Sequence, residues 1–336
     1  MNKMCLHLFL HNRFNIFKMN TVLITGGTGL VGKSLANALV KNGYIVIILT
    51  RSLTRKKPQE NISYANWNVK KQQMDVAAVQ QADYIVHLAG AGVVEKKWTD
   101  AYKKEIVDSR TESSRLIIDT LKNNTNKVKA VISAGAIGWY GADANPVKPF
   151  TETDAADNSF LGQTCKHWEE SIEPVINLGK RLVKLRTGIV LSNDGGALIE
   201  FKKPVRFGIA AVLGNGKQII SWIHIDDLCR LFIYAIENEN IKGSYNAVAP
   251  KPVNNKELTT ALAKTMKGNF YIPVHVPAFI LKIMMGQRSI EVLKSATVSC
   301  KKIRDTGFAF DYTNIENALA DLIKNNDQVF KSVLRK

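Results

Sequence analysis

Three regularly spaced glycines near the start of the chain are the first residues whose types and spacing point to chemistry. Gly26, Gly29 and Gly32 fall in the stretch VLITGGTGLVG, which covers residues 22–32 and joins a strand-like run to a helix-like run. In such a loop the first glycine permits a tight turn, the second lets the backbone approach a pyrophosphate, and the third allows close packing of helix on strand. The amides at the helix start face the phosphates. The predicted contacts are Gly26, Thr28, Gly29, Leu30, Val31 and Gly32.

The residues that follow the second apolar run indicate which dinucleotide would bind. An NAD site usually carries Asp or Glu about twenty residues beyond the glycines, where it accepts a hydrogen bond from the ribose 2′-hydroxyl. This sequence has Thr50-Arg51-Ser52 there instead. Arg51 and Ser52 could hold a 2′-phosphate by charge-assisted hydrogen bonds, so the pattern predicts NADP (NADPH) as the cofactor. The alternative is an arginine that is merely solvated at a strand end.

A further run, His224-Ile225-Asp226-Asp227, contains residue types that ligate metals. Its spacing matches no zinc signature. A strand end followed by an aspartate that caps the next helix explains the same residues. The sequence therefore predicts no metal site.

The elements that must position these residues follow from the apolar periodicity. Near-continuous runs of Val, Ile and Leu are typical of strands buried on both faces. Amphipathic stretches of helix length separate them, as at residues 33–42. Strands that alternate with helices predict an α/β fold with a Rossmann-type, doubly wound parallel sheet. The predicted strands cover residues 21–25, 45–50, 84–88, 128–133 and 182–186.

Changes in pattern divide the chain into three predicted parts. Residues 1–18 are expected to be a disordered extension or to reflect a start assigned too early, with an amphipathic targeting sequence as the alternative. Residues 19–250 form the nucleotide-binding Rossmann domain, and glycines punctuate a loop-rich, substrate-facing insertion at about 192–220. Residues 251–336 form a small C-terminal helical cap that contributes to the substrate region.

Later elements are predicted from local signals. A strand at 221–225 precedes a helix at 228–237, which Asp226 or Asp227 would cap, and a strand follows at 245–248. Beyond residue 253 the chain is expected to be helical and polar-faced, with Pro273 and Pro277 marking turns.

The composition bounds the partners. Lys and Arg outnumber Asp and Glu by 46 to 29, but the basic residues are spread singly and accompany no nucleic-acid-binding motif. We therefore expect phosphate-bearing small molecules and no nucleic acid as ligands. No run of eighteen apolar residues occurs, which argues against a membrane span, and no motif in the sequence points to a membrane partner. The four cysteines form no CxxC pair, which favours a reducing cytoplasm. The sequence leaves association into a homodimer open.

In combination, these motifs resemble a known group: the atypical extended short-chain dehydrogenases/reductases called epimerase-family, sugar-epimerase-like or cell-division-inhibitor-like proteins. The resemblance covers residues from about 20 to about 322. The matching stretches are the glycine motif, His87-Leu88-Ala89-Gly90, Trp98 with residues 104–110, residues 133–141, Trp168-Glu169, Arg186-Thr187-Gly188, Gly214-Asn215-Gly216 and residues 222–228.

The resemblance implies an NADP-type Rossmann domain with a small cap. By position, Leu88, Ala89 and Gly90 would pass the adenosine side of the cofactor, and Glu105 and Arg110 on the next helix would face it. Glu169 is a further implied contact. For the charged side chains the alternative is a solvated helix surface.

Active members of this superfamily pair Tyr with Lys four residues later on one helix, so that the lysine lowers the tyrosine pKa and the tyrosine exchanges a proton with the substrate oxygen. No tyrosine here is followed by such a lysine, and Gly135 stands where the usual hydroxyl partner would be. Tyr140 and Ser133 are the remaining catalytic candidates. Tyr140 could instead be a packed wall residue, and Cys165 is more consistent with a small buried side chain than with a nucleophile.

Two functions of different classes follow. The first is an NADP-dependent oxidoreductase or epimerase that acts on a small carbonyl or hydroxyl substrate, nucleotide-linked compounds included. The second is an NADP-binding regulatory or interaction protein with impaired catalysis, which the missing Tyr/Lys pair favours. Nucleic-acid binding through the basic surface is weaker than either.

Overall fold

A mostly parallel sheet of eight strands forms the centre of the molecule. The computed structural model describes residues 19–54, 57–144 and 148–333. The expectation for residues 1–18 lies outside the described residues. The strands are β1 (Thr21–Thr25), β2 (Ile45–Thr50), β3 (Ile62–Asn68), β4 (Gln73–Met74), β5 (Tyr84–His87), β6 (Ala130–Ala136), β7 (Arg181–Thr187), β8 (Ile189–Ser192), β9 (Gly195–Gly196), β10 (Ile209–Leu213), β11 (Ile219–Ile220), β12 (Trp222–His224), β13 (Gly243–Ala247), β14 (Val253–Asn254) and β15 (Ile272–Val276).

Helices cover both faces of this sheet and also build the cap. They are α1 (Leu30–Lys41), α2 (Val76–Gln81), α3 (Asp100–Asn123), α4 (Phe160–Ile172), α5 (Ala197–Val205), α6 (Ile225–Glu237), α7 (Asn255–Lys267), α8 (Ala278–Met285), α9 (Ser289–Leu293), α10 (Lys301–Asp305) and α11 (Ile315–Val333). Short 3-10 segments lie at Ile137–Trp139, Glu173–Leu178 and Gly286–Arg288. No helix in the described ranges is long and apolar enough to cross a membrane.

The main sheet has the strand order β13-β7-β6-β5-β1-β2-β3-β4. All neighbours are parallel except β3 and β4. This confirms the predicted doubly wound α/β fold. Alternate residues of β1 enter different cores: Val22 and Ile24 pack with α1 and α6 on one face, whereas Leu23 packs with α3 on the other. Burial on both faces explains why these strands are continuous apolar runs.

Hydrogen bonds tie the carboxyl ends of β1 and β5 together. The Thr25 Oγ1 accepts the backbone N–H groups of Leu88 and Ala89 at 3.1 and 3.2 Å, so its own proton is directed to His87 Nδ1, which lies 2.7 Å away. His87 is then neutral with its proton on Nε2, which faces the Ser113 and Ser114 hydroxyls at 3.4 and 3.3 Å. Burial lowers the pKa of His87 to about 3.

The cap is assembled from two separate segments of the chain. β10 pairs in parallel with β15, and α5 and α7 pack on β10, whose Ala210 and Val212 are fully buried. The segment at 192–220, predicted to be loop-rich, therefore contains a helix and a strand. The sequence did not predict either element, because the glycines of this segment and Pro204, which lies inside α5, interrupt the apolar periodicity.

Local predictions in the second half need three corrections. The helical region beyond residue 253 is not polar-faced throughout, because α8 exposes Phe279, Ile283 and Met284. His224, rather than Asp226 or Asp227, caps α6, because its Nδ1 accepts the Asp226 N–H at 3.1 Å. Asp227 is instead fully buried and accepts the backbone N–H groups of Asp311 and Tyr312, both at 2.9 Å. Pro273, predicted to mark a turn, lies within strand β15 at the edge of its sheet, where a missing N–H is tolerated.

The depressed pKa of His87 predicts a pH-dependent stability. Below the ordinary histidine pKa of 6.5 the unfolded chain binds a proton that the folded protein refuses until about pH 3, so stability falls as the pH falls through this window. Between pH 7 and pH 5 this one group should cost about 2 kcal/mol of unfolding free energy. The variant His87→Asn keeps an acceptor for the Thr25 hydroxyl. In urea titrations, its unfolding free energy should fall by about 2 kcal/mol less between pH 7 and pH 5 than that of the wild type. His167→Asn, at an exposed position, should show the same decrease as the wild type, and an unchanged decrease in His87→Asn would show that His87 is protonated in the fold.

Candidate functional site

The glycine loop between β1 and α1 leaves an open cradle at the carboxyl edge of the sheet. Gly26 has φ +68°, and a β-carbon there would lie 2.8 Å from the backbone of Leu88. A β-carbon on Gly32 would lie 2.4 Å from the Gly26 carbonyl oxygen, so this glycine lets α1 pack on the loop. Gly29 is exposed with φ −78°, and only the Gly26 oxygen, at 3.3 Å, lies near its missing side chain. The space beside Gly29 therefore opens outward from the start of α1.

The backbone N–H groups of the first turn of α1 have no side chain that caps them or balances the positive end of the helix dipole. Gly29 occupies the N-cap position without any side-chain cap, and the first turn carries no acidic residue. The N–H groups of a first helical turn have no partners within the helix. Thr28 is exposed, and Leu30 and Val31 are half-buried beside it. The predicted phosphate contacts are thus brought together at one helix start, with backbone donors facing the cradle.

Arg51 and Ser52 follow β2, the strand next to β1, and both are exposed. Across the part of the chain that the structure describes, Arg51 has no hydrogen bond or ion pair, so its guanidinium is available to an anion. Ser52 Oγ accepts the Thr54 N–H at 3.3 Å. The second predicted element of the cofactor site therefore lies on the neighbouring strand, at the same carboxyl edge as the glycine loop.

A loop after β5 closes the other side of this edge, and Arg110 from α3 supports it. Arg110 Nη1 donates to the carbonyl oxygens of Ala91 and Ile106 at 3.1 and 2.8 Å. A β-carbon on Gly90 would lie 3.0 Å from its guanidinium carbon, which lies 4.8 Å from the centre of the Trp168 ring. Arg110 forms no ion pair with any described residue, and burial lowers its pKa. It is neither solvated nor turned freely towards the cleft.

The two remaining charged candidates have opposite surroundings: Glu105 lies on the solvated helix surface that the sequence allowed, whereas Glu169 does not. Glu105 is exposed and lies 3.4 Å from Lys96. Glu169 is buried and forms a bidentate pair with Arg186, at 2.7 and 3.1 Å, and lies 3.3 Å from Lys184. Glu169 is therefore neither a solvated helix charge nor an open cofactor contact. It pairs with Arg186, and Lys184, which also lies near it, has its shorter ion pair with Glu173 at 2.6 Å.

The two catalytic candidates, Tyr140 and Ser133, are both buried. The Tyr140 hydroxyl donates to Asn246 Oδ1 at 2.7 Å and accepts from Arg186 Nη1 at 3.0 Å. Its ring stacks on Phe150 with centroids 5.0 Å apart, and burial raises its pKa to about 12. Ser133 lies inside β6 beside His87 and is 1% exposed. The structure does not bring either hydroxyl to the open cleft, and Tyr140 has the surroundings of a packed wall residue.

Cys165 and Gly135 occupy the positions that drew attention in the sequence. Burial raises the pKa of Cys165 to about 12, although the Arg110 cation opposes this shift. Such a thiol carries no appreciable thiolate at neutral pH and behaves as a small apolar side chain. A β-carbon on Gly135 would lie 3.4 Å from Glu169 Oε1, so this position faces the buried ion pair.

Sequence reasoning missed two arrangements that organise the site. Lys184 and Arg186 are two residues apart in an apolar strand, so their side chains share one face and needed a buried acid. The spacing of Lys184 and Arg186 therefore could have predicted that a buried acid, which is Glu169, pairs with them. The Thr25–His87 contact joins residues 62 apart, and a single sequence carries no signal for it.

A cluster of metal-ligating types also exists away from the glycine loop. His224, Asp226 and Asp321 offer ligand atoms that all lie within 4.8 Å of one another. The His224 Nδ1 is already occupied by the Asp226 N–H, and the ring stacks on Tyr312 with centroids 3.7 Å apart. These contacts explain the position of His224 without a metal: it caps α6 and packs against Tyr312.

Known proteins match this chain over nearly its whole length. Residues 22–164 match the model of the NAD dependent epimerase/dehydratase family, and residues 276–322 match a domain of unknown function, DUF1731. An epimerase family protein of Staphylococcus aureus is 36% identical over 307 residues, which are 91% of this chain and 100% of the relative. One of Staphylococcus haemolyticus is 35% identical over 308 residues, 91% of this chain and 99% of the relative.

Solved structures agree with these relatives. The human epimerase family protein SDR39U1 with NADPH has a TM-score of 0.78 and 25% identity, and the match covers 91% of this chain and 99% of that one. The nucleoside-diphosphate sugar epimerase from Corynebacterium glutamicum has a TM-score of 0.70 and 30% identity over 90% of this chain and 57% of that one. Both the sequence resemblance and the sheet topology are thereby confirmed. The chain belongs to the NAD-dependent epimerase/dehydratase family of extended short-chain dehydrogenases/reductases.

Proposed function

We propose that this protein binds NADP(H) at the carboxyl edge of the sheet and uses it as an oxidoreductase or epimerase. The substrate would be a small compound with a carbonyl or hydroxyl group, nucleotide-linked compounds included. The observation that carries the proposal is the open cradle beside Gly29, with the unpaired Arg51 on the adjacent strand end. The relative that was solved with NADPH supports the choice of cofactor.

The residues present fit the chemical groups of the cofactor. A pyrophosphate needs backbone donors and room, and the start of α1 supplies both because a side chain at Gly29 would occupy the space. A 2′-phosphate needs a cation without a competing acid. Thr50-Arg51-Ser52 provides the cation and a hydroxyl, and no carboxylate ends β2.

When bound, the nicotinamide would supply or take up a hydride at the substrate carbon. The chain's own contributions are positional. The Thr25–His87 contact fixes the edges of β1 and β5 between which the cofactor would lie. Arg110 holds the loop that follows β5 and adds positive charge near the phosphates.

A second function is favoured by a specific observation. Every hydroxyl and thiol that the sequence suggested for catalysis is buried, and Tyr140 uses both its proton and a lone pair within the protein. A protein that binds NADPH and signals its presence to a partner needs no proton donor. Turnover in a screen of carbonyl and nucleotide-sugar substrates separates this function from the first, because a purely regulatory protein would not oxidise NADPH.

We propose that this protein is located in the reducing cytoplasm. Cys165, Cys229 and Cys300 are free and buried, which is compatible with that location. We propose no nucleic-acid partner.

We expect NADPH to bind about ten- to a hundred-fold more tightly than NADH, since one charge-assisted contact is worth about 1.5–3 kcal/mol. Arg51→Ala should remove most of this preference, as measured by calorimetry with both cofactors. Arg115→Ala, on the exposed surface of α3, should leave it intact. Equal affinities in the wild-type protein would refute the assignment of Arg51.

Gly29→Val should abolish NADPH binding and leave the fold intact. The backbone at Gly29 has φ −78°, which valine adopts, and the added β-carbon would lie 3.3 Å from the Gly26 carbonyl oxygen, a contact that a shift of a few tenths of an ångström relieves. The side chain therefore acts mainly by occupying the space of the pyrophosphate. The measurement is the thermal shift that NADPH induces. Asn37→Val adds the same side chain on the exposed side of α1 and should keep the full shift. A full shift in Gly29→Val would mean that the phosphates bind elsewhere.

Tyr140→Phe decides whether the buried tyrosine takes part in catalysis. Because its hydroxyl bridges Asn246 and Arg186, we expect the variant to lose about 1–2 kcal/mol of unfolding free energy and to keep NADPH-linked turnover within about ten-fold. Cys165→Ala should likewise leave turnover largely unchanged. A rate loss of about 10²-fold or more in Tyr140→Phe, without a change in NADPH affinity, would instead establish Tyr140 as the proton donor.

A further inference from the structure

Large apolar side chains are concentrated on the solvent side of the cap. They come from the end of α5, the turn before β15, and helix α8, and they are far more exposed than apolar residues of the Rossmann sheet. The most exposed are Phe270 (87%), Phe207 (85%), Ile283 (79%), Ile272 (69%), Met284 (68%) and Phe279 (64%). Scattered exposed apolar residues are ordinary, but a concentration of this kind marks an interaction surface.

The two-stranded sheet of the cap explains why these residues are uncovered. In the register Ile209↔Ile272 and Ala211↔Val274, each pair projects to the side opposite the buried Ala210 and Val212. Helices α5 and α7 cover the Ala210 side, whereas Ile209, Ile272 and Val274 are 39%, 69% and 43% exposed. We call this surface, together with Phe207, Phe270 and the exposed side of α8, the cap face.

The charge around the cap face has one sign. Residues 205–217 and 267–290, which build it, contain Lys and Arg but no Asp or Glu. The cations are Arg206, Lys217, Lys267, Lys282 and Arg288, and Arg288 Nη1 donates to the carbonyl oxygen of Val94. None of them forms an ion pair with any residue that the structure describes. The acids closest in sequence are already engaged: Glu200 pairs with Lys203, and Glu291 pairs with Lys294.

The exposed aromatic rings and the cations occur as neighbours. Arg206 directly precedes Phe207, Lys267 lies three residues before Phe270, and Lys282 lies one helical turn after Phe279. Phe207 and Phe270 precede the paired strands at one end, where Ile272 N–H donates to the Gly208 carbonyl oxygen at 2.8 Å. Aromatic and aliphatic side chains that protrude beside cations match the boundary between lipid headgroups and acyl chains.

We propose that the cap face docks reversibly on a membrane surface that contains anionic lipid, with the phenylalanines and α8 entering the headgroup region and the cations contacting lipid phosphates. The protein would lie on the surface without spanning it. This inference does not depend on the proposed cofactor or on catalysis.

Two other occupants fit the cap face less well. A second copy of this chain would bring its cations against those of the first copy in a two-fold interface, which is unfavourable because no acid on the cap face is available to pair them. An acidic protein would match the charge, but an acidic surface offers little apolar area to the exposed rings, whereas a membrane surface offers anionic phosphates and acyl chains together.

The test is co-sedimentation of the full chain with two kinds of vesicle: phosphatidylcholine alone, and phosphatidylcholine mixed with phosphatidylglycerol. We expect binding to the mixed vesicles and little to the neutral ones. The double variant Phe207→Ser/Phe270→Ser should weaken binding to mixed vesicles by at least about ten-fold. Lys282→Glu should weaken it by about five-fold or more. Thermal unfolding of each variant verifies its fold.

Matched controls separate this surface from the general basic charge. Ile176→Ser removes an apolar side chain that is 56% exposed on the 3-10 segment before β7, and Lys122→Glu reverses an exposed charge at the end of α3. Both should bind mixed vesicles as the wild type does. Equal losses in the control and test variants would overturn the proposal in favour of diffuse charge attraction.

Two further outcomes would also overturn it. Light scattering could show a dimer without lipid that the phenylalanine variants dissociate, which would assign the face to a second copy of the chain. Alternatively, the wild type could fail to sediment with mixed vesicles but bind polyglutamate in a way that Phe207→Ser/Phe270→Ser weakens, which would assign it to an acidic protein.

Discussion

The close approach of the carboxyl ends of β1 and β5 is the constraint on which the candidate site depends. Gly26 turns with positive φ directly against the Leu88 backbone, and any β-carbon there would overlap it. The Thr25 hydroxyl accepts the N–H groups of Leu88 and Ala89 and is hydrogen-bonded to His87 Nδ1. Because both strand ends are fixed, the start of α1 and the loop after β5 face each other across one cleft.

Two buried arginines near this cleft meet the cost of desolvation in different ways. Arg186 has a bidentate carboxylate partner in Glu169, and the hydrogen bonds with Glu169 raise its pKa although burial alone would lower it. Arg110 relies on two backbone carbonyls and a tryptophan ring. The first arrangement cancels charge inside the fold and ties α4 to β7. The second leaves a buried cation without a carboxylate partner among the described residues, beside the loop that follows β5.

Features that depend on residues close together in the sequence could be predicted from the sequence alone. Apolar runs identified six of the eight strands of the main sheet to within three residues but missed β3 and β4, and glycine spacing located the turn whose φ and contacts the structure shows. The elements that were missed lack such patterns: α5 contains Pro204, and β15 is an exposed edge strand with Pro273. The burial of Tyr140 depends on Asn246, 106 residues away, so its chemical type suggested a proton donor whereas its surroundings favour a packing role. The cap face escaped notice because exposure of apolar residues is a property of the fold and cannot be read from their order.

The assembly of the cap from two distant segments has a consequence for synthesis on the ribosome. β10 ends at Leu213, but its partner strand β15 begins at Ile272, and the last strand of the main sheet, β13, lies between them. At 5–20 residues per second the roughly 60 intervening residues take about 3–12 s to emerge. Throughout this interval β10 presents an unpaired apolar edge while the Rossmann sheet is already being completed. The strands of the main sheet are therefore all synthesised before β10 has its partner, so the cap is the last part of the fold that the chain can complete.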